Sequence, residues 1–349
     1  MQPVCVTREI LKRLDLQFEI FVCNRITFGN RANYEFITCF IFFPRRRIHL
    51  AQFTIIDAPS ILGLRPTGVQ HLPEALKAAG LMSELRAEYG ERVSPLSYSL
   101  ERDKSTLLLN PDSIREFSLQ LADAVTLVLN KKRFPLVLGG DCSILIGNLL
   151  ALRRLGKYGL FFIDGHADFY QPQASPTGEV ADMDLAIVSG RGPDVLTNID
   201  GLKPLVRDQD IVVFGYRDAE QSASYRSQDV RDTNMHAFDL TNVRKFSTIT
   251  AAASQAVDIL ANNELDGFWI HLDADVLDDL IMPAVDYRLG GGGLSFTELS
   301  ELLKTLVASG LAVGMNITIF NPRLDLDGSL ARRFVSSLVQ GLLEKQSEG

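Results

Sequence analysis

Residues 159–168 read Gly-Leu-Phe-Phe-Ile-Asp-Gly-His-Ala-Asp, so a short apolar run ends in two aspartates and a histidine. An apolar run of this length is typical of a strand that is buried on both faces of a parallel sheet. Two other stretches are built alike: residues 135–139 lead into Gly140-Asp141-Cys142-Ser143, and residues 267–272 lead into Asp273-Ala274-Asp275. Because ligands bind beyond the carboxyl ends of such strands, the three stretches predict one polar site at one edge of the sheet.

The same alternation of apolar runs and helical stretches continues along the chain from residue 52. It predicts strands at 53–57, 135–139, 159–163, 210–214, 267–272 and 311–319. It predicts helices at 71–80, 112–131, 143–155, 248–262, 295–308 and 328–345. Strands that alternate with helices in this way predict an α/β fold, with a parallel sheet covered by helices on both faces.

The overall composition restricts the class of protein. The 349 residues carry a net charge of −8, which argues against a nucleic-acid partner because such proteins favour a basic stripe. The apolar run at 36–43 is too short to span a bilayer, so no membrane partner is expected. Charged residues interrupt the first twenty positions, so we expect no signal peptide and a cytoplasmic location. The cysteines at 5, 23, 39 and 142 match neither a zinc motif nor a disulfide framework.

The first residues of the chain differ from the rest. Residues 1–50 hold eight Arg or Lys against four acids and end in an arginine cluster at 45–47. We therefore expect an N-terminal extension at 1–51 and one catalytic domain at 52–349. The composition leaves open whether this extension is amphipathic, binds a partner, is an unused upstream stretch, or adds one more element to the domain.

Carboxylates crowd the predicted site. Asp164, His166 and Asp168 alternate with small residues, so an extended backbone would place all three side chains on one face, and Asp273 and Asp275 repeat the spacing. Carboxylates this close repel one another unless a cation lies among them. Oxygen ligands with one imidazole suit a divalent ion such as Mn²⁺, which makes a nucleophile of bound water near neutral pH. A solvated turn explains a lone Asp-x-His but not five such residues on two strands.

These motifs resemble those of the ureohydrolase family, which includes arginase, agmatinase, guanidinobutyrase and formimidoylglutamase. The family patterns GGDHS, DAHxD and SxDxDxxDP correspond here to residues 139–143, 164–168 and 271–279. The resemblance covers residues 52–345. It implies a three-layer αβα sandwich with a central, mostly parallel sheet, a homo-trimer or homo-hexamer, and a two-manganese site that hydrolyses a guanidine or amidine C–N bond of a small-molecule substrate.

The resemblance also implies a role for each acid. Asp164 and Asp273 would bridge the metals, and His166, Asp168 and Asp275 would be further ligands. Asp168 would also be catalytic, because it would orient the attacking metal-bound hydroxide by a hydrogen bond.

The first metal ligand departs from the family pattern, because Cys142 stands where the family has histidine. A thiolate can bind a metal, but it is soft and suits Mn²⁺ less well, so the site is expected to hold one ion or two ions of unequal affinity. The position opens a predicted helix, which favours the thiolate. A small buried cysteine without a ligand role is the alternative.

A second departure lies in the loop after Asp168. It reads Thr177-Gly-Glu179-Val-Ala181-Asp182, so an alanine replaces the histidine that the family uses as a proton shuttle. Thr177 and Glu179 are predicted to contact the substrate. Glu179, Asp182 or Asp184 could transfer protons in place of the histidine, or could be solvated loop charges.

The third departure concerns the substrate most directly. Ile319 occupies the place of a glutamate that pairs with the substrate guanidinium in many members of the family. A cationic guanidinium against an isoleucine loses charge-assisted hydrogen bonds, so arginine and agmatine are disfavoured. The substitution predicts a weakly basic substrate such as a hydroxyguanidine.

Three functions remain compatible with these residues. The leading hypothesis is a metal-dependent hydrolase of a linear amidine-type or guanidine-type C–N bond. A catalytically silent homologue with a regulatory or structural role is the alternative, favoured by the missing shuttle and the missing glutamate. A deacetylase-like hydrolase ranks last, since its paired histidines have no counterpart in this chain.

Overall fold

The computed structural model describes residues 52–343. The predicted extension at 1–51 lies outside the described residues, as does the end of the helix predicted at 328–345. Within the described residues, no helix combines the length and the apolarity that crossing a membrane would require.

One sheet runs through the described residues, and every pair of neighbouring strands in it is parallel. Its eight strands are β1 (Phe53–Ala58), β2 (Glu88–Arg92), β3 (Phe134–Gly139), β4 (Gly159–Ile163), β5 (Ile211–Phe214), β6 (His236–Phe238), β7 (Phe268–Asp273) and β8 (Ala312–Thr318).

Helices cover both faces of this sheet. They are α1 (Leu72–Ala78), α2 (Leu81–Glu84), α3 (Pro111–Asn130), α4 (Leu145–Leu155), α5 (Asp184–Val188), α6 (Asp194–Thr197), α7 (Ala219–Ser224), α8 (Leu240–Val243), α9 (Ile249–Ala261), α10 (Phe296–Ala308) and α11 (Ser329–Leu342). Helix α10 begins with the capping box Ser295–Glu298, in which each side chain accepts a backbone N–H of the other residue.

The alternation of side chains along the strands builds two separate cores. In β4, Phe161 and Ile163 join a buried cluster that includes α9, α10 and α11, whereas Leu160 and Phe162 join a cluster that includes α3, α4 and α5. A strand with both faces buried has to be apolar throughout, which is the pattern read at 159–163. The two cores confirm the three-layer αβα sandwich.

The strand order places the motifs together. The order is β2-β1-β3-β8-β7-β4-β5-β6, so the four strands β3, β8, β7 and β4 are consecutive in the middle of the sheet. Because these strands are parallel, the residues that follow each of them emerge at the same edge, where α/β sheets bind ligands.

Two strands were missed by sequence reasoning. Strand β2 reads Glu-Tyr-Gly-Glu-Arg and all five of its residues are exposed, so it lacks the apolar signal of a buried strand. It forms because its backbone pairs with β1 at the edge of the sheet. Strand β6 has only three residues and pairs with β5 at the opposite edge.

Candidate metal centre

Strands β4 and β7 are neighbours, and each delivers acids from its carboxyl end. Asp164 follows β4 directly, and Asp273 is the last residue of β7. The two turns that follow are joined by hydrogen bonds: Gly165 N donates to Asp275 Oδ1 at 2.9 Å, and the ring Nδ1 of His166 lies 2.8 Å from Asp275 Oδ2. The side chains therefore converge from two different turns.

The predicted extended backbone after β4 is wrong in detail. The strand ends at Ile163, and Asp168 has a positive φ of 43°. Asp275 lies in a short 3₁₀ helix, Ala274–Val276, and not on the strand. The Asp side chains accept backbone N–H groups two residues ahead, Asp164 from His166 at 2.6 Å and Asp273 from Asp275 at 2.7 Å. These Asx-type turns, and not an extended strand, bring the ligand side chains together.

Two adjacent groups of potential ligand atoms result. The first group contains Cys142, Asp164, His271 and Asp273, and the second contains Asp164, His166 and Asp275. The ligand atoms within each group lie within 4.8 Å of one another. Asp164 belongs to both groups, so its carboxylate can bridge two ions.

The electrostatics of the site favour a bound cation. Burial raises the pKa of Asp164, Asp168 and Asp273 well above its usual range, and the neighbouring carboxylates raise it further. Asp164 Oδ2 is buried and has no hydrogen-bond partner among the described residues. A buried carboxylate oxygen without a partner is costly, and a divalent ion would satisfy it.

His166 and Asp275 form the closest ion pair among these ligands, with Nδ1 2.8 Å from Oδ2. Burial lowers the pKa of His166, but the Asp275 carboxylate outweighs burial and raises it to about 9. Burial likewise raises the pKa of Asp275, but His166 outweighs it and lowers the pKa to about 2. In the metal-free protein the protonated imidazole thus offsets part of the negative charge. An ion that binds here has to displace that proton.

Cys142 lies in the centre of the site, in the 3₁₀ helix Cys142–Ile144 that follows β3. Its Sγ is 2.8 Å from Asp273 Oδ2 and 3.2 Å from Thr318 Oγ1. Burial and the nearby Asp273 raise the pKa of the thiol well above its usual value, which is opposite to the shift that a helix N-terminus alone predicts. Without a metal, Cys142 is therefore a thiol that donates to Asp273.

Asp168 is buried beside the ligand groups but belongs to neither of them. After burial, the charge of Asp184 contributes most to its raised pKa. Asp184 begins α5, is fully buried, and has an Oδ2 without a hydrogen-bond partner among the described residues. A further buried carboxylate thus lies near Asp168, at the start of α5.

The residues predicted to contact the substrate have different surroundings. Thr177 Oγ1 accepts the backbone N–H of Glu179 at 3.2 Å, which shapes the loop. The Glu179 carboxylate is buried; it accepts Arg65 N at 2.9 Å and the Tyr287 hydroxyl at 2.8 Å. Each of its oxygens accepts one hydrogen bond, so Glu179 holds the segments that carry Arg65 and Tyr287 against its own loop.

Ile319 follows β8 and is buried, with only 5% of its surface exposed. Its φ is 68°, a conformation in which a β-branched residue is strained. Its N–H donates to Gly140 O at 2.9 Å, which ties it to the loop before Cys142. Ile319, Ala181 and Cys142 belong to the same buried apolar cluster. The three departures from the family pattern thus all lie in the large buried core on one face of the sheet.

Sequence reasoning missed two contributors. It gave no role to His271, although this residue lies two residues before Asp273 on β7 and shares its face, which was the available signal. It also gave no role to Asp279. Asp279 is buried, pairs with Arg217 at 3.1 Å and accepts Gly290 N at 2.7 Å, so it anchors the glycine run 290–293.

Comparisons with known proteins agree with this geometry. The family model described as "Arginase family" matches residues 51–343. The arginase of Staphylococcus aureus strain COL is 31% identical over 290 residues, which cover 81% of this chain and 94% of that protein. The arginase of Bacillus subtilis strain 168 is 28% identical over 305 residues, covering 84% and 98%. The native arginase structure from Bacillus caldovelox superposes with a TM-score of 0.76 at 27% identity, covering 84% and 99%. The chain therefore belongs to the arginase family and is a ureohydrolase-type enzyme.

Proposed function

We propose that this enzyme hydrolyses the C–N bond of a weakly basic amidine-type small molecule, such as a hydroxyguanidine, with one or two Mn²⁺ ions. The observation that carries the proposal is a contrast within one site. Two ligand groups share Asp164, whereas the position of the family's guanidinium-binding glutamate is occupied by the buried Ile319. The two ligand groups support metal-dependent chemistry, whereas Ile319 argues against a substrate that carries a full positive charge.

The donor set fits divalent ions. Asp164, which belongs to both ligand groups, would serve both positions, with Asp273 and Cys142 at the first and His166 and Asp275 at the second. Ions bound there would polarise a water molecule and so supply a nucleophile near neutral pH. Cys142 is the only soft donor in this set, which favours unequal affinities at the two positions.

Ile319 and Ala181, here called the apolar wall, indicate the class of substrate. A guanidinium ion brought against Ile319 and Ala181 would leave N–H donors without acceptors, at a cost of about 1–3 kcal/mol for each buried group. A hydroxyguanidine is less basic and can bind as the neutral species, so it avoids the cost of burying a net charge. Ile319 would then contact the substrate by packing alone.

Two carboxylates are available for proton transfer. Asp168 would orient the water molecule by accepting its hydrogen bond. Asp184 would take the role of the missing shuttle, because it is buried near Asp168 and its Oδ2 has no hydrogen-bond partner among the described residues. Glu179 would be the less available of the two, because each of its oxygens already accepts a hydrogen bond, from Arg65 N and from the Tyr287 hydroxyl.

The proposal is tested by activity on matched substrates. The full chain is loaded with Mn²⁺, and release of the free amine is measured from an N-hydroxyguanidine amino acid, whose other product would be hydroxyurea, and from the corresponding guanidine, whose other product would be urea. We expect faster turnover of the hydroxyguanidine in the wild type and none in Asp273→Asn. Preference for the guanidine would refute the substrate class. Absence of turnover on hydroxyguanidines, amidines and guanidines by the metal-loaded protein would refute the proposal as a whole.

A catalytically silent homologue is the second candidate, favoured by Ala181 together with Ile319. Metal content distinguishes the silent homologue from the enzyme, because a site that is no longer used is expected to bind less than one ion per chain. Elemental analysis after manganese loading and gel filtration gives this number. One or two equivalents per chain support the enzyme, and none in a folded protein supports the silent homologue.

We further propose that residues 52–349 form the catalytic domain, with 1–51 as an extension, and that the protein is a cytoplasmic homo-trimer or homo-hexamer. The resemblance to the ureohydrolases supports the assembly. Analytical ultracentrifugation of the full chain tests it, and a monomer at micromolar concentration would contradict it.

A further inference from the structure

His271 lies inside the first ligand group, but its role there is ambiguous from position alone. It is fully buried, and its Nε2 is 3.7 Å from Asp164 Oδ2. Neither atom has a hydrogen-bond partner among the described residues. An imidazole nitrogen so placed is either a metal ligand, through its lone pair, or a hydrogen-bond donor, through its proton. The neighbours of the other ring nitrogen decide between the two.

Those neighbours are set by the register of β7 and β8. His271 pairs with Asn316, and Trp269 pairs with Gly314. A side chain at Gly314 would place its Cβ 2.1 Å from the Trp269 ring, so the glycine makes room for the indole. The indole Nε1 then reaches Asn316 Oδ1 at 2.7 Å. Since an indole N–H can only donate, the carbonyl oxygen of Asn316 has to face Trp269.

The amide of Asn316 therefore presents its NH₂ group to His271. Asn316 Nδ2 lies 2.8 Å from His271 Nδ1. An amide NH₂ can only donate, so Nδ1 has to accept and carries no proton. A neutral imidazole has one proton, which is then on Nε2 and directed at Asp164. Phe162 stacks on the ring with centroids 4.5 Å apart, which holds this orientation.

This arrangement is the reverse of that expected for a ligand. A metal-bound histidine donates its second ring N–H to a carboxylate, a carbonyl or water, whereas Nδ1 of His271 accepts. Binding an ion through Nε2 would require an imidazolate, with both nitrogens deprotonated.

We infer that His271 is a positioning residue and not a metal ligand: its Nε2–H donates to Asp164 Oδ2. This inference rests on the proposed metal-dependent function. The separation of 3.7 Å is longer than a hydrogen bond, so forming the bond would require the Asp164 carboxylate to rotate toward the ring. Asp164 is then held by two donors, His166 N on Oδ1 and His271 on Oδ2, and each oxygen keeps a lone pair for an ion. Without His271, the first ligand group among the described residues keeps Cys142, Asp164 and Asp273, which would leave coordination open for water.

The test uses a pair of variants with opposite predictions. His271→Gln keeps an N–H in the place of Nε2 and an acceptor for Asn316, whereas His271→Leu keeps the volume alone. Zn²⁺ and Mn²⁺ affinity and stoichiometry are measured by competition with a chromophoric chelator. We expect the leucine variant to lose about 10–100-fold in affinity with unchanged stoichiometry, and the glutamine variant to recover most of it. Equal loss of one metal equivalent in both variants would show that His271 is a ligand.

A third variant reverses the tautomer. In Asn316→Asp a carboxylate faces Nδ1, so the ring proton moves there and the Nε2 lone pair faces the ions. The Co²⁺-loaded variant is expected to differ from the wild type in its visible absorption spectrum, because it gains a nitrogen ligand, and long-range ¹H–¹⁵N correlations report the tautomer in the Zn²⁺-loaded protein. A wild type whose Nε2 is already metal-bound by these signals would overturn the inference. None of these measurements requires turnover. The role of His271 can therefore be determined even if the protein hydrolyses no amidine.

Discussion

Two parts of the site, a polar wall and an apolar wall, differ in the kind of side chain that they present. The wall formed by the turns after β4 and β7 is polar and closely hydrogen-bonded, and its backbone N–H groups orient Asp164, Asp273 and Asp275. The apolar wall, Ala181 and Ile319, has no charged group at the two positions where the family carries one, and both residues lie in one large buried core. The contrast teaches that binding of ions and recognition of substrate are carried by separate segments. One wall can change while the other is retained.

The contrast extends to backbone strain. Asp168, on the polar wall, has a φ of 43°, and Ile319, on the apolar wall, has a φ of 68°. Asp tolerates this region better than a β-branched residue, so the strain at Ile319 is the larger. A strained residue persists only where its surroundings hold it, here through its hydrogen bond to Gly140 O. We therefore expect the shape of the apolar wall to matter to function as well as its lack of charge.

Removing a ligand from the polar wall is expected to have the largest effect. Asp273→Ala removes an acid that serves the first ligand group and accepts from Cys142. The variant should lose bound metal and at least about 10⁴-fold of activity, because water without a bound ion has a pKa far above neutral. Activity and elemental analysis are measured on the same sample. Asp278→Ala, in the same loop but capping only Leu280 N, is the matched control and should keep both. Activity retained in Asp273→Ala would refute the mechanism.

The support behind the polar wall is tested by Asp279→Ala. The change leaves the Arg217 guanidinium buried without its carboxylate and frees Gly290 N. Breaking a buried pair costs about 3–5 kcal/mol of the free energy of unfolding. Chemical denaturation measures it. Asp194→Ala breaks the exposed pair with Lys203 and should change the free energy of unfolding far less, because water and salt screen that pair. A cost for Asp279→Ala no greater than that of the exposed pair would mean that Arg217 finds another partner.

The polar wall was largely predictable from sequence, and the reason is local. Each ligand directly follows an apolar run that has to be a buried strand, so 159–163 and 267–272 position Asp164 and Asp273 by themselves. The cross-strand relay through Trp269, Asn316 and His271 was not predictable, because it depends on the register of β7 against β8. Glu179 accepts hydrogen bonds from Arg65 N and the Tyr287 hydroxyl, each more than 100 residues away along the chain. No local sequence pattern predicts contacts between segments so far apart.

The apolar wall is tested by restoring its missing charge. Ile319→Glu places a carboxylate where the family binds a guanidinium. Charge-assisted hydrogen bonds are worth about 1.5–3 kcal/mol, so the ratio of kcat/KM for a guanidine over a hydroxyguanidine should rise about 10–100-fold. The matched control is Ile319→Gln, which has the same length without the charge and should change the ratio little. An equal shift in both variants would show that shape, and not charge, sets the preference. Unchanged ratios would place substrate recognition elsewhere.

The smallest effect is expected at Asp182, which borders the apolar wall beside Ala181. Ser175 Oγ donates to Asp182 Oδ2 at 3.0 Å, whereas Oδ1 is buried without a hydrogen-bond partner among the described residues. Burial raises the pKa of this carboxyl to about 8. The folded state therefore keeps the proton up to about pH 8, whereas the unfolded state releases it near pH 4. Between these values the folded state binds more protons, so the free energy of unfolding falls as pH rises.

Asp182→Asn removes this dependence, because an amide does not titrate but can still accept from Ser175. In metal-free protein, the melting temperature of the wild type should fall relative to Asp182→Asn from about pH 4 to about pH 8. The difference should correspond to about 1 kcal/mol, since the side chain keeps part of its surface in water. Asp258→Asn, on the exposed face of α9, controls for the loss of one charge. Parallel pH profiles for the wild type and Asp182→Asn would show that the carboxylate is already ionised in the folded protein, and that this border of the apolar wall is wetter than the structure indicates.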